Sequence, residues 1–466
     1  MTDESPADRA ARNRLRWLLY AAYASMHMNR QIVAILAGPL RTDLGLGDSQ
    51  LGTLTGSAFA IVFAVLGLHF GGVADRRDRL IMVRCGAILW SGAAAAAAFA
   101  SGFTALLLAR ATVAVGEAVA TAAAISLMAE LSPRRHLGRT SGAFFASAYA
   151  GAGLAAIVGG VLLSWKPPLA GIAGWRSAML AAATPGLLIA LLLHDPRGGA
   201  LRRRSAAPDA PRWAGVGFAA SAAVVVGLQE CLPPGLGVPA AVAVASATGA
   251  LWVGALRRRG PHAYAATFAR RDYRLWLIAF TAVLFVDYAA GFWLIPLAER
   301  RFTADPGVLG RDIGSFQIGG GLLGAILGGW IADAWGRARP NADVWTALGA
   351  FLLEVVAIWM ALRQSDFGGY LTAYAGFCVA SGAWTGVAAA IGLRLVPEEH
   401  RGVGAAGYFF ITTVFGLGLG PFLVGLGSDA LGSIGPALRI ATLIAALAVA
   451  AFIRLGLCRT PPDVPA

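Results

Sequence analysis

Long runs of apolar residues alternate with short polar segments along almost the whole chain. A helix needs about 20 apolar residues to cross the hydrocarbon core of a bilayer. Fourteen segments meet this condition, namely residues 15–40, 51–74, 80–101, 103–128, 141–165, 177–194, 213–230, 237–256, 273–297, 313–334, 342–362, 369–395, 403–427 and 435–456. The pattern predicts an all-α integral membrane protein with fourteen spans.

The composition supports this class and excludes two others. Hydrophobic residues make up 57% of the 466 residues and charged residues only 14%, against about 25% in ordinary soluble domains. A disordered chain would be more polar. The four cysteines are far apart and form no C-x-x-C pair, so a disulfide scaffold is not expected either.

The net charge of +13 is distributed unevenly between alternate loops. Cytoplasmic loops of membrane proteins are enriched in arginine and lysine. Placing the N-terminus inside puts 27 of these residues in the cytoplasm and eight outside. The bias predicts a plasma (inner) membrane protein with both termini cytoplasmic, and it explains the basic charge without nucleic acid.

The segment 213–256 is predicted to be an inserted hairpin. Arginine triplets at 202–204 and 257–259 flank it, and a Leu-Pro-Pro-Gly helix breaker at 232–235 divides it. The alternative is a cytoplasmic or interfacial amphipathic segment, which would leave twelve spans. Both runs are apolar around the whole helix, which favours insertion.

A nine-residue pattern, G-x-x-A-D-x-x-[G/D]-R, occurs once in each half of the chain, at 71–79 and 329–337. Glycine allows close helix approach, and the arginine after the turn can pair with the carboxylate or with a neighbouring helix end. The duplication predicts two six-helix bundles that rock about a central site. The candidate gating residues are Gly71, Asp75, Arg76, Arg79, Gly329, Asp333, Gly336 and Arg337.

On these residues the chain resembles the major facilitator superfamily, whose loop signature is G-x-L-A-D-R-x-G-R. The first copy has Asp78 where that signature has glycine. A closer resemblance, to the spinster-type branch, rests on residues 29–32, 44–52, 109–118, 174–176 and 416–421. The resemblance implies two bundles with pseudo-twofold symmetry, alternating access and no cofactor. The branch is associated with export of lysolipids and sphingoid phosphates, and its usual twelve-helix pattern lacks the added hairpin.

The expected organisation follows from these boundaries. It comprises a cytoplasmic N-terminus (1–14), a first six-helix bundle (15–196), a linker with the inserted hairpin (197–272), a second six-helix bundle (273–456) and a cytoplasmic tail (457–466).

Ionisable residues at bilayer depth are costly, so each suggests a function. The candidates in apolar runs are Arg30, Arg110, Glu117, Asp287, Glu354 and Arg394. Arg110 and Glu117 are seven residues apart and share a helix face about 10 Å apart, too far for direct pairing along the helix. Each therefore needs a partner on another helix. The alternative interpretation is a static ion pair that holds helices together.

The resemblance adds roles to some of these residues. Arg110 matches the arginine of the fourth-helix motif R-x-x-x-G-x-G that is tied to proton coupling. Asn29 stands where the spinster pattern usually has an aspartate, so Glu117 or Asp287 is the candidate proton carrier. A hydrogen-bonded helix contact is the alternative for Asp287. Glu354 and Arg394 are expected near span ends or between helices.

Catalytic signatures are absent from the sequence. The six histidines form no H-x-x-x-H or H-E-x-x-H, and there is no G-x-x-x-x-G-K-[ST], so neither a metal site, an enzyme nor an ATP-driven pump is expected. The predicted function is secondary transport of a lysolipid-like or other amphiphilic anion, with protons as coupling ion and a monomer in the bilayer. The alternatives are a proton-coupled exporter of small hydrophobic compounds or drugs, and a transporter-like sensor without flux.

Overall fold

The computed structural model describes residues 6–74, 77–132, 137–165, 172–193, 212–302, 304–336, 339 and 341–457. Every regular element in these ranges is helical. The helices are α1 (Pro6–Ile35), α2 (Ala37–Leu44), α3 (Asp48–Thr55), α4 (Ser57–Ala74), α5 (Arg79–Ala97), α6 (Phe103–Leu131), α7 (Leu137–Ser164), α8 (Gly174–Leu192), α9 (Arg212–Cys231), α10 (Pro234–Arg259), α11 (Pro261–Ala266), α12 (Arg271–Arg301), α13 (Pro306–Gly336), α14 (Ala342–Arg363), α15 (Phe367–Leu395), α16 (Arg401–Ile411), α17 (Gly420–Leu431), α18 (Ile434–Ala441) and α19 (Ala445–Leu457).

Twelve candidate spans in the described part of the chain are long and apolar enough to cross a membrane. α1, which contains most of the predicted first span, is not among them, because His27, Asn29, Arg30 and Gln31 interrupt its apolar run. α9 contributes only the shorter apolar stretch Gly215–Cys231, whereas α10 qualifies. The all-α membrane architecture is therefore established, and the count of fourteen spans is not.

Helices α1–α8, which we call the first half, and α12–α19, the second half, show matching internal contacts. α5 and α4 both pack on α6, as α14 and α13 both pack on α15. The two halves meet most extensively where α7 lies along α13. A Cβ atom at Gly153 would overlap the backbone of Gly314, so only glycine permits this close approach.

Two membrane-crossing segments are broken, and the breaks touch each other. α3 and α4 are separated at Gly56, whose φ of −97° and ψ of −95° interrupt the helix. α16 continues into a π-helical segment, Thr412–Leu417, before α17 begins. A Cβ at Gly56 would overlap the carbonyl oxygen of Gly418, so the two breaks pack backbone to backbone.

The α9–α10 pair packs mainly against the first half. Gln229 of α9 accepts a hydrogen bond of 2.8 Å from Ser57 of α4, and Glu230 accepts one of 2.5 Å from Thr104 of α6. The apolar core of the first half includes Val225 of α9 and also reaches Phe410 of the second half. This pair thus has polar and apolar contacts with the first half and an apolar contact with the second half.

The repeated loop motif is only partly described by the structure. Asp75, Arg76 and Arg337 lie outside the described residues. Arg79 donates to the carbonyl oxygen of Ala74 over 3.1 Å and to Glu130 over 2.8 Å, so this arginine does bind neighbouring helix ends.

The expected close helix approach at the motif glycines is wrong for this conformation. A Cβ atom at Gly71, Gly329 or Gly336 would meet nothing within 4 Å. Asp333 is exposed on the surface of the protein. The tight glycine contacts between the halves lie elsewhere, at the α7–α13 contact and at the opposite end of the bundle.

Candidate functional site

Two helices of the first half, α1 and α6, carry an ion pair on the side that faces the second half. Arg30 of α1 donates from Nε to Glu117 Oε2 of α6 over 2.7 Å, and its Nη2 lies 2.5 Å from the same oxygen. The guanidinium also stands over the rings of Phe59 and Phe63, at 4.5 and 5.0 Å from their centroids. A buried pair with this geometry is strongly held while both charges are present.

Glu117 has spare binding capacity on its other carboxyl oxygen. The residue is fully buried, and Oε1 has no hydrogen-bond partner among the residues that the structure describes. Arg30 keeps 16% of its side chain exposed and interacts electrostatically with Tyr23 and with Tyr288 of the second half. The pair therefore faces the space between the halves, and Arg30 is its accessible member.

Arg110 does not pair with Glu117, although the two share a helix face. Its Nε donates to the Leu54 carbonyl over 3.0 Å and its Nη1 to the Asn29 carbonyl over 2.9 Å. The break at Gly56 leaves the Leu54 carbonyl without its usual helical donor, and a backbone carbonyl at bilayer depth needs another donor. Arg110 thus donates to a backbone carbonyl that the break in the helix leaves without a donor.

Asn29 connects α1 to α8. Its Nδ2 donates to the carbonyl oxygens of Ser25 and Ala182 over 3.0 and 3.1 Å, and its Oδ1 has no partner. The residue is buried beside Arg110 and does not reach the Arg30–Glu117 pair through a hydrogen bond.

Asp287 lies apart from the ion pair, in the second half. It accepts a hydrogen bond of 2.6 Å from Ser381. Glu354 is fully buried and accepts one of 2.7 Å from the indole of Trp384. Arg394 lies at a helix end, 2.5 Å from Asn341 and 3.1 Å from Asp343. Of the charged candidates, the structure brings together Arg30 and Glu117, with Arg110 two turns from Glu117 on the same face of α6.

Contacts across the centre join residues whose partners the sequence analysis does not identify. Gln31 of α1 donates to the Gly291 carbonyl of α12 over 2.9 Å. Tyr149 of α7 and Thr385 of α15 share a hydrogen bond of 2.9 Å. The available signal was polarity within apolar runs, which draws attention to Gln31 and Thr385 but does not reveal their partners.

A second missed feature closes one end of the bundle, and we call it the cross-half lock. Asp48 of α3 accepts two hydrogen bonds from Arg300, of 2.8 and 2.5 Å, and one of 2.7 Å from Ser428. Asp429 accepts from the backbone N–H of Asp48 and of the next residue, over 3.0 and 2.8 Å. Both carboxylates bind the N-terminus of α3 to the second half.

The described residues include no group of three or more histidine, cysteine, aspartate or glutamate side chains that could hold a metal ion. The arrangement can bind an anion at Arg30 and a proton at Glu117. Because the pair lies between two halves that are locked together at one end, access is possible only from another direction in this conformation.

Comparisons with known proteins agree with this geometry. A sequence model described as the Major Facilitator Superfamily matches residues 19–403. The chain is 27% identical over 412 residues to an MFS-type efflux pump of Mycolicibacterium smegmatis, which covers 87% of this chain and 82% of that protein. It is 26% identical over 428 residues to Protein spinster homolog 1 of Homo sapiens, covering 87% and 71% of the two chains.

A solved structure shares the fold. It is described as a bacterial homologue of the human lysosomal transporter Spinster in an inward-facing and unoccupied conformation. The TM-score is 0.73 at 18% identity, and the match covers 97% of this chain and 98% of that one. Together the matches confirm the predicted resemblance to spinster-type transporters and the expectation of a transporter fold.

Proposed function

The chain belongs to the major facilitator superfamily, and we propose that it is a proton-coupled secondary transporter that moves a lysolipid-like or other amphiphilic anion by alternating access. The observation that carries the proposal is the Arg30–Glu117 pair. A partly buried arginine with one carboxylate partner in the described part of the chain can exchange that partner for an anionic head group.

The pair also supplies a coupling mechanism. When the substrate anion binds Arg30, Glu117 loses its cation, and an unpaired carboxylate is costly in a low-dielectric site. A proton then neutralises Glu117. When the substrate leaves, Glu117 returns the proton and binds Arg30 again. Arg110 and Asn29 take part by holding α1, α6 and α8 in place around the pair.

We infer that this conformation is open toward the cytoplasm. The cross-half lock lies at the N-terminus of α3. The arginine distribution predicts that this side of the protein is outside. At the other end the motif glycines Gly71 and Gly329 have no close neighbours. The similar structure described above is named as inward-facing, which supports the same interpretation.

Two alternatives have their own support. The relative described as an efflux pump favours export of small hydrophobic compounds or drugs. A transporter-like sensor would bind without moving its ligand. Comparing lipids and metabolites between cells with and without the gene should identify the accumulating compound. Counterflow of that labelled compound in proteoliposomes then tests transport, and binding without counterflow would favour the sensor.

We propose that α9 and α10 both cross the membrane, which gives fourteen spans with both termini inside. The exposed native Cys231 lies at the turn between them. With Cys85, Cys378 and Cys458 replaced by alanine, an impermeant maleimide should label Cys231 on whole cells. A single-cysteine chain that is labelled only after lysis would contradict this topology.

The repeated loop motif is proposed to control switching and not substrate choice, because its residues lie at helix ends far from Arg30. Asp333→Asn should slow substrate exchange several-fold while the substrate's Kd changes little. The measurements are counterflow rate and equilibrium binding. Asp312→Asn, which changes a partly exposed carboxylate beside Arg311 near the other end of α13, is the control and should leave both unchanged. Loss of binding in a folded Asp333→Asn protein would refute the assignment.

A further inference from the structure

The second half contains two carboxyl groups that take no part in the proposed replacement of Glu117 by substrate at Arg30. Asp287 of α12 is partly exposed and accepts a hydrogen bond from Ser381 of α15. Glu354 of α14 is fully buried; one carboxyl oxygen accepts from Trp384 and the other, Oε1, has no partner among the described residues. Ser381 and Trp384 are three residues apart on α15, so the two carboxyl groups bond to the same face of that helix, where they interact electrostatically.

No positive charge compensates this pair. Among the described residues, neither carboxyl has an arginine, lysine or histidine within salt-bridge distance. The titratable groups that interact with them are Tyr149 of α7, Tyr288 of α12, and Tyr374 and Cys378 of α15. In the described structure, α13 and α19, which also pack on α14, contribute no such group.

A second buried oxygen group lies in the same region. The Tyr374 hydroxyl is fully buried, bonds to the Cys378 thiol, has no nitrogen or oxygen partner among the described residues and interacts electrostatically with Asp287. Unpaired charges in a protein interior are costly unless a cation neutralises them. Oxygen atoms of carboxyl and hydroxyl groups are the ligands that hard cations prefer.

We propose that Asp287 and Glu354 form a binding site for a monovalent cation, a proton or Na⁺, that is separate from the Arg30–Glu117 pair. The partly exposed Asp287 is its entrance, and Glu354 lies behind it. The site's role in coupling rests on the proposed transport function, whereas its chemistry does not. A proton would convert one carboxylate to the neutral acid, and Na⁺ would be bound by the carboxyl and hydroxyl oxygens.

Hydrogen bonds connect this site to the contact between the halves. Ser381, which donates to Asp287, accepts at its carbonyl a hydrogen bond of 2.9 Å from Thr385. Thr385 in turn bonds Tyr149 of the first half. A cation that changes the Asp287–Ser381 bond therefore acts on a residue that is linked through Thr385 to a polar contact between the halves.

Infrared difference spectroscopy of the purified full-length protein in phosphatidylcholine liposomes tests the site without a substrate. One arm lowers the pH in choline chloride, and the other replaces choline with Na⁺ at fixed pH. If the cation is a proton, acidification should produce a C=O band of a protonated carboxyl group. That band should disappear in Glu354→Gln or Asp287→Asn and shift in Trp384→Phe, which keeps both carboxyls.

If the cation is Na⁺, the carboxylate bands of the wild-type protein should change when Na⁺ replaces choline. This change should be absent in Glu354→Gln and in Asp287→Asn. Glu398→Gln, a matched change at a carboxyl that is 88% exposed, should alter neither response. Thermal unfolding establishes that each variant is folded.

Wild-type and variant spectra that agree in both arms would overturn the site, as would a folded wild-type protein that responds to neither cation. Because no substrate is needed, this result is independent of the counterflow experiment. A site that responds in liposomes while counterflow fails would refute the transport proposal and leave the cation site standing.

Discussion

Glu117→Gln should abolish accumulation of substrate driven by a proton gradient while it retains exchange of substrate for substrate. Glutamine keeps an oxygen that can accept from Arg30 but cannot carry a proton, so the binding site survives and coupling does not. Glu117→Ala is a poorer test, because removing one partner of a buried ion pair costs about 3–5 kcal/mol of stability. The measurements are uptake under an imposed pH gradient and counterflow, both in proteoliposomes.

Two further variants make this result specific. Glu117→Asp should retain part of the coupling, since the shorter side chain still titrates but reaches Arg30 less well. Glu398→Gln removes an exposed carboxyl and should behave as wild type. Undiminished proton-driven accumulation by Glu117→Gln would show that Glu117 is not the carrier. If Asp287→Asn then abolished accumulation, the carrier would be Asp287.

Asp48→Asn should shift the conformational equilibrium toward separation of the locked end. The Asp48 side chain is 4% exposed and accepts two hydrogen bonds from Arg300 in addition to that of Ser428. Hydrogen bonds to charged groups contribute about 1.5–3 kcal/mol each. Because about 1.4 kcal/mol corresponds to a factor of ten, the separated population should rise at least about tenfold.

Spin labels at the exposed residues Thr42 of α2 and Leu431 of α17 can measure this shift as a longer distance between the halves. Asp366→Asn is the matched control, since Asp366 accepts from the Gly369 backbone within the second half and crosses no interface. An unchanged distance distribution in Asp48→Asn, with the control also unchanged, would show that the lock does not set the equilibrium.

The sequence predicts the all-α membrane fold because a helix that crosses the membrane needs a long apolar run, and such runs are visible in the sequence. Breaks within those runs are harder to foresee. The second predicted span, 51–74, continues through Gly56, yet the structure begins a helix at Asp48 and interrupts it at Gly56. That interruption depends on the backbone of Gly418, more than 300 residues away in sequence, which no local pattern contains.

In the candidate site, too, the sequence predicts some features and not others. The spacing of Arg110 and Glu117 indicates one helix face and a need for partners on other helices. It does not indicate that Glu117 pairs with Arg30, or that Arg110 donates hydrogen bonds to two backbone carbonyls. The Leu54 carbonyl becomes an acceptor only because the helix breaks beyond it, so the role of Arg110 follows from tertiary structure.

The attachment of Arg110 to those two carbonyls has a consequence for the valence of the substrate. Arg110 cannot follow a ligand without exposing the Leu54 carbonyl, so Arg30 is the guanidinium of this pair of arginines that can change partners. A monoanion that replaces Glu117, itself neutralised by one proton, leaves the sum of charges at zero. A dianion brings one more negative charge, which the guanidinium of Arg110 would have to balance from its fixed position. For a singly charged carboxylate or phosphodiester, each loaded transition therefore carries no net charge at Arg30 and Glu117, whereas a phosphomonoester would also draw on the charge of Arg110.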